Sequence, residues 1–287
     1  MNADLLSLAP KIDLSRRGFV ATGLVSGFSL AAGPVMGQSV ITTDTNGLTA
    51  GEVRIPVSGG YQMAAYRAMP AKGGPFPTVM VIQEIFGVHE HIKDVARRLA
   101  KMGYLAIAPD LYGRQADMSK VTEMSAAVAV AGQVPDAQVM ADLDAVSAWS
   151  KTHGGDGVKL AITGFCWGGR IVWLYAAHNP ALTAGVAWYG RVVGTPNERQ
   201  PRNPMDVVGQ LRAPVLGLYG AADQGIPNDT VEKFRDAAKA AGKTVDIVFY
   251  PDTPHAFHAD YRASYRKGPA EDGWAKMHAW LVRHGVG

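Results

Sequence analysis

Short apolar runs recur along this chain at residues 78–82, 104–108, 184–189 and 214–219, and residues 245–250 read as a final strand. Runs of this length without polar interruption read as strands buried on both faces of a parallel sheet. A further run starts at Lys159 and stops abruptly at Gly164. Upstream, residues 52–57 and 61–68 alternate in polarity around Ser58-Gly59-Gly60, which predicts an antiparallel hairpin. Between the apolar runs lie stretches with helical spacing: 91–102 closed by Gly103, 119–131, 136–151, 171–177, 229–241 stopped by Gly242, and 272–284. In the third of these, Val139, Leu143, Val146 and Trp149 share one face. Asp229 is expected to cap its helix. Strands that alternate with helices at this spacing predict an α/β fold: a single mostly parallel sheet with helices on both faces. No internal repeat or linker divides the region from residue 51 to 287, so one domain is expected.

Composition narrows the function. Hydrophobic residues make up 47% of the 287, enough for a large core. The formal charge of +3 is small and scattered, which argues against a nucleic-acid partner. The single cysteine excludes an intrachain disulfide and a cysteine-based zinc site. No metal and no cofactor is expected.

That cysteine stands in Gly164-Phe165-Cys166-Trp167-Gly168, where an apolar run meets a helical pattern. The spacing G-x-C-x-G is that of a nucleophile elbow with sulfur at the apex. A strand that turns straight into a helix forces its apex residue into strained dihedrals, and side chains two positions away would collide with the turn. The helix N-terminus then directs its amides at the thiol and favours the thiolate. In sheets of this class, function gathers beyond the carboxyl ends of the strands. Asp223 follows the run 214–219, and His255 follows the run 245–250. Nucleophile, acid, histidine is the chain order of α/β-hydrolases. Asp252 is a rival acid and His258 a second histidine. Gln83-Glu84-Ile85-Phe86-Gly87 follows the run 78–82, where this fold supplies an oxyanion-hole amide; Ile85 N–H is the candidate, paired with Trp167 N–H. Phe86, Trp167, Trp188 and Tyr189 are candidate pocket walls. His89 and His91 read as surface or helix-start residues.

Together with Ala108-Pro109-Asp110-Leu111-Tyr112-Gly113-Arg114, these motifs resemble the dienelactone hydrolase family (carboxymethylenebutenolidases), a cysteine branch of the α/β-hydrolases. The resemblance runs from about Val53 to the C-terminus. It implies Cys166 as nucleophile, His255 as base and Asp223 as its orienting partner, with Glu84 touching the resting thiol. It implies a hydrolase that opens a lactone or small ester through an acyl-cysteine. Family members hold a substrate carboxylate with two arginines. One of those positions is Ala259 here, and residues 121–131 contain no arginine, so Arg262 or Arg266 is the candidate replacement. The other readings are a broader carboxylesterase or peptide and polymer hydrolase, and a non-catalytic binding protein on the same fold. A monomer is favoured.

The N-terminus reads as an address. Ser15-Arg16-Arg17-Gly18-Phe19-Val20 precedes a weakly apolar stretch interrupted by Gly23, Gly27, Gly33 and Pro34. Residues 1–37 resemble a twin-arginine export signal, which implies the twin-arginine machinery as partner, through Arg16 and Arg17, and a periplasmic protein folded before export. Residues 38–50 are expected to be an exposed lead-in.

Overall fold

The computed structural model describes residues 41–287. The export-signal reading of residues 1–37 lies outside the described residues. Eight strands form one sheet: β1 (Leu48–Pro56), β2 (Gln62–Pro70), β3 (Phe76–Ile82), β4 (Leu105–Pro109), β5 (Gly155–Phe165), β6 (Ala184–Trp188), β7 (Val215–Gly220) and β8 (Val245–Tyr250). Their order is β1-β2-β4-β3-β5-β6-β7-β8. The β1–β2 and β2–β4 pairings are antiparallel and the rest are parallel. The helices are α1 (Glu90–Lys101), α2 (Met124–Gln133), α3 (Asp136–Thr152), α4 (Trp167–His178), the single turn α5 (Pro204–Val207), α6 (Asn228–Ala240) and α7 (Lys267–Arg283).

The strand order explains the layering. The crossover from β3 to β4 steps one way along the sheet, while those from β5 to β6 and from β7 to β8 step the other way. Because such crossovers are right-handed, reversing the direction sends the helices to the opposite face. Packing agrees with this. On one face Tyr175 of α4 hydrogen-bonds Asp144 of α3 at 3.0 Å, and Trp173 of α4 meets Phe234 of α6 with ring centroids 4.7 Å apart. On the other, Arg98 of α1 lies 6.0 Å from the Trp274 ring of α7. The reversal occurs between β3 and β5, so the carboxyl ends of these neighbours open a crevice. The core lies in the centre of the sheet, where Val79, Met80, Val81, Ile82, Ala161 and Ile162 are fully buried.

Several boundaries differ from the sequence pattern. Residues 48–50 of the supposed lead-in belong to β1, because Leu48, Thr49 and Ala50 find partners in Pro70, Met69 and Ala68 of the hairpin. Residues 41–47 are mostly exposed but tethered: Thr43 N–H donates to the Asp94 carboxylate at 2.5 Å and Ile41 N–H to Asp260 at 3.2 Å. Residues 118–120 form a separate 3-10 turn, so α2 starts at Met124. Pro227, not Asp229, occupies the N-cap position of α6, which has no side-chain cap; Asp229 sits in its first turn and pairs with Lys233 at 2.9 Å. The last helix starts five residues before residue 272, at Lys267.

The crossing of β5, β3 and α4 is tight enough to dictate composition. A Cβ on Gly168 would lie 2.5 Å from the Ile82 carbonyl oxygen and 2.6 Å from that of Gln83, backbone atoms with nowhere to retreat. Gly168→Ala is therefore expected to cost about 1–3 kcal/mol by overpacking and to lower Tm by roughly 3–10 °C, measured by calorimetry.

Candidate active site

Cys166 stands between β5 and α4 at φ 54°, ψ −112°, a region that a non-glycine residue occupies only when its surroundings compel it. Here the compulsion is hydrogen bonding on both sides. Cys166 N–H donates to the Trp188 carbonyl at 3.0 Å, and its own carbonyl accepts from Arg170 N–H at 3.2 Å. The thiol is half-buried and faces a cavity of about 740 Å³ whose wall includes Ile85, Trp167, Tyr189, Arg191, Ile226 and His255.

His255 and Asp223 approach from the ends of β8 and β7. Ala222 N–H donates to the Thr253 carbonyl at 3.0 Å, which binds the two loops together. Asp223 receives Gly225 N–H on one oxygen at 2.8 Å and His255 Nδ1 on the other at 2.5 Å. A carboxylate can only accept, so Nδ1 carries the proton and Nε2 is the nitrogen left for the cavity side. Both side chains are buried. Burial alone would oppose a charged ring. The negative charge that Cys166 carries when ionised and that of Asp223, with the Asp223 hydrogen bond, overcome that opposition and hold the His255 pKa well above the ordinary value.

The rival residues fall elsewhere. Asp252 is exposed on the turn after β8. His258 is buried among aromatic rings, with centroids 5.1 Å from Phe165 and 4.6 Å from Trp188. Burial holds its pKa well below the ordinary value, so it is neutral. His89 and His91 are buried and not surface residues. His91 Nδ1 hydrogen-bonds Asp260 at 3.0 Å.

Glu84 is 1% exposed, which for a carboxylate demands compensation. Its Oε2 accepts the Tyr261 hydroxyl at 2.7 Å, and its Oε1 is buried without a protein partner. Tyr112, Tyr189 and Tyr261 surround this carboxylate and Cys166. Burial raises all three phenols well above the usual range, and the charges of Cys166 and Glu84 raise each further. Tyr112 also sets its ring 4.9 Å from that of Trp167. Of these phenols only Tyr189 is legible as a candidate from sequence. Tyr112 lay within a quoted motif, and Tyr261 follows His255 by six residues, a separation that no strand-end rule flags.

Ile85 and Trp167 both border the cavity, and the Trp167 amide is among the first-turn donors of α4, which have no partner within the helix. Three expected pocket residues do not border the cavity. Trp188 is fully buried: its indole stacks on Phe165 at 5.5 Å and donates to Thr163 Oγ1 at 3.1 Å, because β6 is central and its aromatic side chain points into the helix layer. Phe86 lies under the Arg262 guanidinium, 4.8 Å from its ring centre, and this stacking takes both residues out of the wall. The outer wall comes instead from residues 191–203, a stretch with no periodic pattern, together with Arg170. Arg170 is held by both oxygens of Asp136 at 2.7 and 2.8 Å. Among the described residues, no group of three or more His, Cys, Asp or Glu is arranged to hold a metal ion.

Comparison with known proteins places this geometry among relatives. The sequence model of the dienelactone hydrolase family matches residues 63–285. A protein of Methylorubrum extorquens named "putative carboxymethylenebutenolidase" is 61% identical over 99% of this chain and 98% of its own length. A Bradyrhizobium protein named "probable 2-oxo-3-(5-oxofuran-2-ylidene)propanoate lactonase" is 31% identical over 78% of this chain and 91% of its own. A crystal structure of a "putative dienelactone hydrolase" from Klebsiella pneumoniae, 56% identical, superposes with a TM-score of 0.80 over 82% of this chain and 98% of that one.

The His255 environment has a measurable consequence. A pKa raised on folding means that the native state binds the proton more tightly than the unfolded chain. The resulting stabilisation is complete below about pH 6.5 and is lost as pH rises through the folded-state value. Because Cys166 is the foremost cause of the rise, Cys166→Ala is expected to lower the His255 pKa. Titration of the ring nitrogens by NMR in the two proteins checks this; an unchanged value would contradict it.

Proposed function

The chain belongs to the dienelactone hydrolase family, and from that membership we propose that it opens a lactone or small ester through an acyl-cysteine intermediate. The observation that carries this reading is the strained, half-buried Cys166 at one cavity with His255, whose Nδ1 is 2.5 Å from Asp223.

In this reading Glu84 touches the resting thiol, and the attacking form is a thiolate paired with the His255 imidazolium. The sulfur attacks the carbonyl carbon, forming a C–S bond as the carbonyl electron pair moves onto oxygen. The Ile85 and Trp167 amides receive that oxyanion, and removing one such donor costs roughly 3 kcal/mol of transition-state stabilisation. Collapse of the tetrahedral adduct breaks the C–O bond, and the departing alkoxide takes the proton from His255 Nε2. In a lactone the leaving oxygen stays tethered to the acyl group, so a single product is finally released. His255, neutral again, takes a proton from water, and the hydroxide cleaves the thioester to return the thiolate. Asp223 keeps the ring oriented and stabilises its charge throughout.

The N-terminal sequence adds a location. Ser15-Arg16-Arg17-Gly18-Phe19-Val20, followed by a weakly apolar stretch, supports export by the twin-arginine route to the periplasm. Replacing both arginines by lysine is expected to leave the protein in the cytoplasmic fraction, with activity unchanged.

The reaction is tested by time-resolved mass spectrometry with a dienelactone and with p-nitrophenyl acetate. Turnover is expected with a transient acyl adduct on Cys166, and Cys166→Ala is expected to lose at least about a thousandfold in kcat/KM. Folded protein that neither turns over nor acquires an adduct would refute the hydrolase reading.

A further inference from the structure

Glu84 lies in the loop after β3, within electrostatic reach of Tyr112, Tyr189 and Tyr261, three phenols that also feel the charge of Cys166. Of these, Tyr261 is the one that grips it. The Tyr261 hydroxyl donates to Oε2 at 2.7 Å. The phenolic oxygen then has lone pairs left to accept, and His89 Nε2 stands 3.4 Å from it. Burial, aided by the charges of His91 and Arg262, pushes the His89 pKa down to about 3. His89 is therefore neutral and donates from Nε2. The resulting chain, His89 to Tyr261 to Glu84, runs in one direction.

The tyrosine itself cannot drift. Its ring packs edge-on against His89, with centroids 4.9 Å apart, and at 5.4 Å from His91. The preceding residue, Asp260, is anchored by His91 Nδ1 at 3.0 Å, Arg98 Nη2 at 3.0 Å and Ile41 N–H at 3.2 Å. The loop that carries His255 is thus clamped to α1 at the point where it presents the phenol to Glu84. One carboxylate oxygen is pinned, and the other, Oε1, is buried and unpartnered.

We propose that Tyr261 is a positioning residue that orients Glu84 towards Cys166, pinning Oε2 so that Oε1 is the oxygen that receives the thiol proton. This rests on the reading of Glu84 as the partner of the resting thiol. The step is a simple transfer: the S–H bond breaks, an O–H bond forms at Oε1, and the electron pair stays on sulfur. Tyr261 keeps its own proton throughout.

The test is the rate of Cys166 alkylation by iodoacetamide against pH, on the full chain, in Tyr261→Phe, Glu84→Gln and the double variant. Phenylalanine keeps the ring packing and removes only the hydroxyl. A hydrogen bond to a charged group governs the orientation, so Tyr261→Phe is expected to alkylate about tenfold more slowly at pH 7 and with a displaced pH midpoint. Adding it to Glu84→Gln is expected to change the rate less than about twofold, since two residues acting through one contact are not additive. A 3-fluorotyrosine at position 261, a stronger donor of nearly the same shape, is expected to move the midpoint in the opposite sense. It also serves if Tyr261→Phe does not fold. Parental rate and pH profile in Tyr261→Phe, or multiplicative effects in the double variant, would overturn the proposal. So would a Glu84→Gln protein that alkylates like the parent, because Tyr261 would have nothing to act through. Alkylation needs no substrate, so a parent that hydrolyses no lactone or ester would count against the hydrolase reading alone.

Discussion

The backbone crossing at Cys166 is the constraint on which the rest of the site depends. For β5 to turn into α4 within one residue, the apex must take φ 54°, and the first turn of the helix must pass against the ends of β3 and β6. Gly168 lies against the Ile82 and Gln83 carbonyls, and Gly169 against that of Trp188. No side chain fits at these contacts. The strain at Cys166, of order 1–3 kcal/mol, is held in place by hydrogen bonds on both sides of the apex. The same crossing that exposes the thiol also brings the Glu84 loop and the Trp167 amide to it, so one piece of geometry assembles half of the site.

The other half is an electrostatic arrangement of buried side chains. Asp223, His255 and Glu84 are all nearly fully buried, an unfavourable location for charge unless each has specific partners. Asp223 has two donors, His255 has the Asp223 carboxylate on Nδ1, and Glu84 has the Tyr261 hydroxyl. The phenols around the thiol stay protonated because burial and neighbouring negative charge both oppose their ionisation. They consequently keep their protons available to donate.

Behind the site a second buried network ties the His255 loop to the helix layer. Asp260 joins His91 and Arg98, and Asp94 joins Arg97 at 3.1 Å and Arg98 at 2.5 Å. Thr43 and Ile41 donate into the same two carboxylates, so the strand-leading segment closes over α1. Such pairs add little net stability relative to an apolar core, but removing one partner leaves a buried charge uncompensated. Their effect is to specify one position for the loop between His255 and Tyr261.

Much of this was legible in order along the chain. Apolar runs of strand length set the parallel part of the sheet, because a strand buried on both faces has nowhere to place a polar side chain. The elbow glycines and the positions of Asp223 and His255 at strand ends identified the candidate site, and the family resemblance agreed with the comparisons. Glu84 was visible as an odd acid beside a buried strand. Partnerships between segments distant in sequence were not visible. Tyr261 meets Glu84 across 177 residues, and His91 meets Asp260 across 169, through contacts that no local periodicity encodes. Trp188 and Phe86 were misplaced for the same reason: an aromatic residue reads alike whether it lines a cavity or fills the core. Only the packed layers decided that Trp188 turns towards α7, and which stretch of unpatterned loop became the outer wall.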